Sequence, residues 1–186
     1  MNRTVKYLGP YAKVKFDHKL SQPIPGQFVY IDGKPFAIYE SDESSFSILV
    51  KGDSFLVENT PQEISEPKGG GFPNLLSRHA IAIAGGTGVG AVMPVIHARN
   101  KQGLTTSVII YTRGDITTIR DDQPCLSLCG DVILWDTTSR GRPRDPLAPI
   151  SNIHPGSAIF MVGPKSLTAA IKEAADRYNL SCNTNY

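Results

Sequence analysis

Short apolar-polar runs fill the first third of the chain. Residues 4–8, 12–16, 27–32, 36–40 and 46–50 each carry β-branched or aromatic residues, with Gly and Pro between most of them. Such spacing predicts antiparallel strands closing into a small barrel or sandwich. Residues 52–59 predict one short helix, and the run Pro67-Lys68-Gly69-Gly70-Gly71-Phe72-Pro73-Asn74 then interrupts regular structure. A boundary near residue 76 follows, dividing the chain into domains 1–76 and 77–186.

From His79 the pattern changes to buried-strand runs followed by helical ones. Residues 79–84 predict a strand, a glycine turn follows, and residues 89–100 predict a helix; residues 108–111, 132–135 and 158–162 repeat the strand texture. Residues 165–178 place Leu167, Ala170, Ile171, Ala174, Ala175 and Tyr178 at helical spacing, the stripe of a helix packed on a sheet. The predicted fold is a short antiparallel barrel followed by a parallel-sheet α/β domain.

Composition agrees with a globule: 186 residues, 40% hydrophobic and 19% charged. A net charge of +2 gives no bulk attraction to nucleic acid or a membrane surface, so neither is an expected partner. The longest apolar runs have strand length and the opening residues lack an apolar signal region, so neither a span nor a signal peptide is expected; the expected location is cytoplasmic. Cys125, Cys129 and Cys182 fit no common zinc or disulfide spacing and read as buried, inert thiols. His18, His79, His97 and His154 have no second ligand at helical or hairpin spacing, so no metal site is expected. Asp121-Asp122 after Arg120 reads as a solvated acidic turn.

The chemistry concentrates in Gly85-Gly86-Thr87-Gly88-Val89-Gly90-Ala91, which stands where a buried strand ends and a helix begins. Glycine clears the side chain that would block a diphosphate, and the helix start supplies N–H groups and a favourable dipole. Gly86, Gly88 and Ala91 fit Gly-X-Gly-X-X-Ala, a pattern also compatible with a turn that binds nothing; no Lys-Ser or Lys-Thr closes a Walker loop. The next strand ends Tyr111-Thr112-Arg113-Gly114, with no acid for a ribose hydroxyl, and a second basic cluster holds Ser139, Arg140, Arg142 and Arg144. Arg113 and Arg140 lean toward the 2′-phosphate of NADP(H) over NAD(H).

A small barrel before a nucleotide-type domain places a site at their seam. Over residues 20–186 the chain resembles the ferredoxin-NADP reductase-like superfamily. Gly26-Gln27-Phe28-Val29, Lys34-Pro35-Phe36-Ala37-Ile38, Lys51-Gly52-Asp53-Ser54 and Gly70-Gly71-Phe72-Pro73 resemble its flavin-barrel markers, and Gly85-Gly86-Thr87-Gly88-Val89 and Gly163-Pro164 its nicotinamide-side markers. The barrel markers most resemble electron-transfer subunits of dihydroorotate dehydrogenase.

The resemblance implies a role for each matching residue. Lys34 takes the place of a flavin-phosphate arginine, Pro35, Phe36 and Ala37 lie along the flavin, and Gly52 and Ser54 offer N–H and hydroxyl donors to its phosphate. Thr87, Gly88 and Val89 lie beneath nicotinamide and diphosphate beside Gly86, Gly163 and Pro164 close the far side, and Tyr186 covers the flavin ring. Thr87 and Tyr186 are the implied catalytic residues. Ala37 and Val162 stand where many members carry polar side chains near the hydride path, and Ala91 replaces a proline. The implied cofactors are FAD or FMN, with little chain after Ser54 for an adenine-binding loop, and NADP or NAD as donor. Four cysteines beyond the last strand hold an iron-sulfur cluster in the dihydroorotate-type subunit; only Cys182 stands nearby here, so no resident cluster is expected. The implied function is hydride transfer from NAD(P)H to flavin and electron delivery to an unidentified acceptor. Two alternatives remain: a subunit that works only when docked to a partner protein, and a nucleotide-binding module without redox work.

Overall fold

The computed structural model describes residues 2–184. Strands β1 (Arg3–Leu8), β2 (Tyr11–Phe16), β3 (Phe28–Ile31), β4 (Lys34–Ser41) and β5 (Phe46–Lys51) form one antiparallel sheet in the order β1-β2-β5-β4-β3. Alternation along these strands turns Val14, Phe16, Val29, Ile31, Ile38, Phe46, Ile48 and Val50 into a common core, closed by Leu56 from the short helix α1 (Phe55–Glu58). The segment after α1 runs along the outer edge of β3 through single bridges from Ile64 to Ile31 and from Lys68 to Phe28.

The second sheet is parallel. Its strands are β6 (Ala80–Gly85), β7 (Thr106–Thr112), β8 (Val132–Asp136), β9 (Ala158–Val162) and β10 (Ser181–Thr184), in the order β10-β9-β6-β7-β8. Helix α2 (Val89–Lys101) follows β6, α3 (Thr117–Asp122) follows β7, α4 (Thr137–Arg140) follows β8 and α5 (Lys165–Arg177) follows β9. Strand β6 is buried throughout, and its two faces differ in size. Ala80, Ala82 and Ala84 admit α2 at close range, while Ile81 and Ile83 fill the space under α5. The α2 core continues into Leu8, Tyr11, Tyr39 and Leu49 of the antiparallel sheet, so one hydrophobic cluster spans both sheets.

Arg99, at the end of α2, is 0% exposed. It donates to Thr106 Oγ1 at 2.8 Å and to the carbonyls of Leu75 (2.6 Å), Ser77 (2.7 Å) and Thr105 (2.9 Å). A planar guanidinium with several donors suits such a knot, which fastens the segment entering β6.

The structure departs from the sequence pattern at three places. Strand β10 was not expected, because Ser-Cys-Asn-Thr carries little β signal, yet it pairs in register with Ala158 to Met161. Helix α3 replaces the expected loop. Asp122 is no solvated turn residue: its side chain is 5% exposed and pairs with Lys6 and Lys13. Among the described residues no helix is long and apolar enough to cross a membrane.

Candidate functional site at the seam

The strand order sets the position of the site. From β6 the chain proceeds to β7 and β8 on one side and returns to β9 and β10 on the other, so the order reverses between β6 and β9. Open parallel sheets bind ligands outside the carboxyl ends of the strands at such a switch. Two turns meet there. A Cβ on Gly88 would lie 2.3 Å from the Val162 carbonyl oxygen, and one on Gly85 would lie 3.3 Å from Gly163 Cα and 2.7 Å from Pro164 Cδ. Only glycine fits these contacts. Gly86 has φ +59°, in the left-handed region, and faces open space with only the Tyr11 hydroxyl within reach, 3.8 Å from its hypothetical Cβ.

Above these turns lies a cleft of about 870 Å³. Gly86, Thr87, Gly88, Arg113, Gly163 and Pro164 line it, as does Gly52 from the barrel side. A second cavity of about 340 Å³ opens between the sheets, lined by Pro35, Phe36, Ala37, Leu49, Val50 and Ser54 against Thr87, Gly88 and Val162. The two spaces share Lys51, Asp53, Thr87, Gly88 and Val162. The slot mixes apolar Pro35, Phe36, Ala37, Leu49, Val50 and Val162 with polar Lys51, Asp53, Ser54 and Thr87, and the cleft has three cationic residues, Lys51, Arg113 and Arg142, against the single acid Asp53.

Several expected site residues stand elsewhere. Lys34 Nζ lies 4.5 Å over the Phe55 ring and lines neither space; Lys51 supplies the cation there. Val89 is fully buried in the core, and its N–H closes the 3-10 turn Gly86–Gly88 by bonding the carbonyls of Gly86 and Thr87. Ser139 and Arg140 lie on α4 outside the lining, with the Arg140 guanidinium 5.5 Å above the Trp135 ring. Arg142 lines the cleft in their place and reaches Ser166 Oγ at 3.4 Å. The N–H groups of Gly52 and Ser54 are spent on the carbonyls of Pro10 and Lys51, so that turn offers the Ser54 hydroxyl, which makes no cap bond. Tyr186 lies outside the described residues.

The turn that carries Arg113 is held from both sides. Asp136 Oδ1 accepts from the Gly114 N–H at 2.9 Å and the Thr138 N–H at 2.8 Å, and Thr137 Oγ1 donates to the Thr112 carbonyl at 2.6 Å. Those N–H bonds hold the Asp136 carboxyl below its ordinary pKa. Tyr11 and Thr137 were missed as site residues because their partners in the cleft are remote in sequence; Lys51 stood in a barrel marker without a role, and Arg142 stood in the basic cluster with Arg140 ranked before it.

The three cysteines are half-buried, not buried as expected. Burial raises Cys125 and Cys129 to about 11, and burial also raises Cys182. Among the described residues no three His, Cys, Asp or Glu side chains gather into a metal-binding group, so these residues do not fit an iron-sulfur cluster.

A small antiparallel sheet feeding a parallel nucleotide-type sheet, with a slot and a cleft at the seam, is the ferredoxin reductase-like architecture. Solved structures share it: full-length CYP116B46 from Tepidiphilus thermophilus (TM-score 0.77, 15% identity, 97% of this chain and 27% of that one) is one. Another is the flavohem-like FAD/NAD binding domain of nitric oxide dioxygenase from Vibrio cholerae (TM-score 0.76, 12% identity, 98% of this chain and 94% of that one). This chain thus spans about a quarter of the first and nearly all of the second. No protein-family model matches the chain. A curated relative does: the dihydroorotate dehydrogenase B (NAD(+)) electron transfer subunit of Caldanaerobacter subterraneus subsp. tengcongensis is 32% identical over 185 residues, covering 91% of this chain and 73% of the relative. The chain belongs to the family of dihydroorotate dehydrogenase B electron transfer subunits.

Proposed function

We propose that the chain takes electrons from a nicotinamide dinucleotide in the cleft, passes them to a flavin in the slot, and delivers them to an acceptor carried by a partner protein. The observation that carries this reading is the common wall: Thr87, Gly88 and Val162 belong to both spaces, so ligands in the two would meet across it. Bound flavin supplies the redox chemistry, taking up hydride and releasing electrons. Pro35, Phe36 and Ala37 support the flavin ring, Ser54 donates to its phosphate and Lys51 places positive charge beside it. Thr87, Gly163 and Pro164 orient the nicotinamide. Ala37 and Val162 carry no titratable proton, so the chain's part in the transfer is positioning. The flavin domain occupies residues 1–76 and the nucleotide domain residues 77–186.

Residues 64–68 follow the β3 edge instead of overhanging the slot, which supports FMN, or FAD gripped by its FMN half. The donor assignment is NAD(P)H, with Arg142 beside Ser166 favouring a 2′-phosphate. Anaerobic titration tests the reading: the purified protein takes up FMN or FAD, and NADPH or NADH bleaches it. The apolar Ala37 and Val162 favour one rival, a nucleotide-binding module without redox work; a protein that binds dinucleotide but no flavin would establish that rival.

A further inference from the structure

Tyr11 begins β2 in the antiparallel sheet, yet its ring packs in the cluster shared by both sheets and is 6% exposed. Its hydroxyl bonds no described residue. It opens into the cleft, 3.8 Å from where a Cβ on Gly86 would stand. The ring is held in the core while the hydroxyl meets the cleft, so its donor is free for a ligand there. Burial raises its pKa and the nearby Arg113 charge pulls the other way, leaving a protonated donor at neutral pH. Arg113 stands on a turn fixed by Asp136, so the phenol and the guanidinium share one end of the cleft, over the turn with which α2 begins. A hydroxyl donor, a cation carried on an anchored turn and a glycine turn at a helix start converge on one chemistry, a phosphate anion.

We propose that Tyr11 and Arg113 form a diphosphate clamp across the seam, with the Tyr11 hydroxyl donating to the diphosphate of the dinucleotide and Arg113 pairing with its charge. The clamp rests on the proposed nicotinamide donor and deepens it: the flavin-side sheet itself grips the nucleotide, so the dinucleotide ties the two sheets together. It also moves Arg113 from the 2′-phosphate to the diphosphate and leaves the former to Arg142.

ADP-ribose, which has the diphosphate and lacks nicotinamide, is the probe, titrated calorimetrically into wild type, Tyr11→Phe and Arg113→Met. Tyr11→Phe weakens ADP-ribose about tenfold while flavin affinity holds and the melting temperature of the ligand-free protein stays level or rises, because only an unpaired hydroxyl is removed. Arg113→Met weakens ADP-ribose as well, and the double variant weakens it by less than the product of the two single effects, because both groups serve one ligand group. Equal ADP-ribose affinity in wild type and Tyr11→Phe overturns the clamp and leaves the donor reading standing. Parallel loss of flavin and ADP-ribose in Tyr11→Phe also overturns it, as the mark of a structural role. Absence of ADP-ribose binding in wild type overturns the donor reading and the clamp together.

Discussion

Asp122 Oδ2 lies 3.1 Å from Lys13 Nζ, an ion pair that joins the last residue of α3 to strand β2 of the other sheet. Lys6 approaches the same carboxylate at 2.6 Å, Glu40 approaches Lys13 at 2.6 Å, and the Tyr39 hydroxyl donates to Asp122 at 3.4 Å. The group is unevenly wet: Asp122 is 5% exposed and Lys13 17%, whereas Lys6 is 64%. Its energetic weight rests on Asp122 and Lys13, because exposed pairs contribute little.

Replacing Asp122 by Ala leaves Lys13 half-compensated at the seam and should cost about 2 kcal/mol in urea unfolding, below the range for a fully buried pair. The acid limb gives a second reading. Burial opposes the Asp122 charge, but the Lys6 and Lys13 bonds outweigh it and the folded pKa falls below the ordinary carboxylate value. A depressed folded pKa stabilises above about pH 4 and loses that stability as pH falls through the folded value. Asp122→Asn should therefore flatten the stability profile below about pH 4; an unchanged acid limb would sink the assignment.

Two glycines of the same turn should respond differently to alanine. At Gly88 the new Cβ meets the Val162 carbonyl oxygen at 2.3 Å, a backbone atom that cannot step aside. Gly88→Ala should cost about 3 kcal/mol. At Gly86 the space is open and only φ +59° resists, so Gly86→Ala should cost about 1 kcal/mol. Its methyl group projects toward the cleft, and dinucleotide affinity should drop even in the folded variant. Thermal melts with calorimetric titration separate the two effects.

The fold was legible where local signals agree with the final packing. Strand β6 reads as buried because every residue in it is apolar or Gly, and the glycine turn reads as a ligand turn because a helix follows. Asp122 was illegible because Lys13 is 109 residues away, and charge adjacent to charge reads as solvated until a partner arrives. Tyr11, just outside the predicted strand 12–16, drew no reading for the same reason, since Gly86 and Arg113 reach it only through the fold. Arg140 and Arg142 are equivalent in sequence, and what distinguishes them is Trp135, whose ring holds one guanidinium off the cleft. Lys34 and Lys51 divide likewise through Phe55.

At the opposite end of the parallel strands His79 and His154 stack with ring centres 4.0 Å apart. Burial lowers the His79 pKa first, and the charges of His154, Arg78 and Arg99 lower it further. A base with a depressed folded pKa resists protonation in the fold, so the stability is intact above about pH 6.5 and declines as pH falls toward the folded value. The melting temperature of wild type should fall between pH 7.5 and 5.5 by more than that of His154→Asn, which removes the opposing imidazolium. Equal slopes would show that the stack has no electrostatic consequence.

The last prediction concerns donor choice, where the two arginines after β8 part company. Arg142 lines the cleft and reaches Ser166 near the start of α5, so its guanidinium is available to a phosphate on the adenosine side. Arg140 is occupied above Trp135. Removing one charge-assisted hydrogen bond to a phosphate weakens binding by a factor of about ten or more. Arg142→Ala should therefore lower kcat/KM for flavin reduction by NADPH about tenfold, mainly through KM, and leave the NADH rate where it was. Arg140→Ala should change neither. The curated relative is named for NAD(+), so a wild-type protein that uses NADH as well as NADPH, with Arg142→Ala indifferent to both, would mean that the cleft reads no 2′-phosphate and that Arg142 is a surface residue.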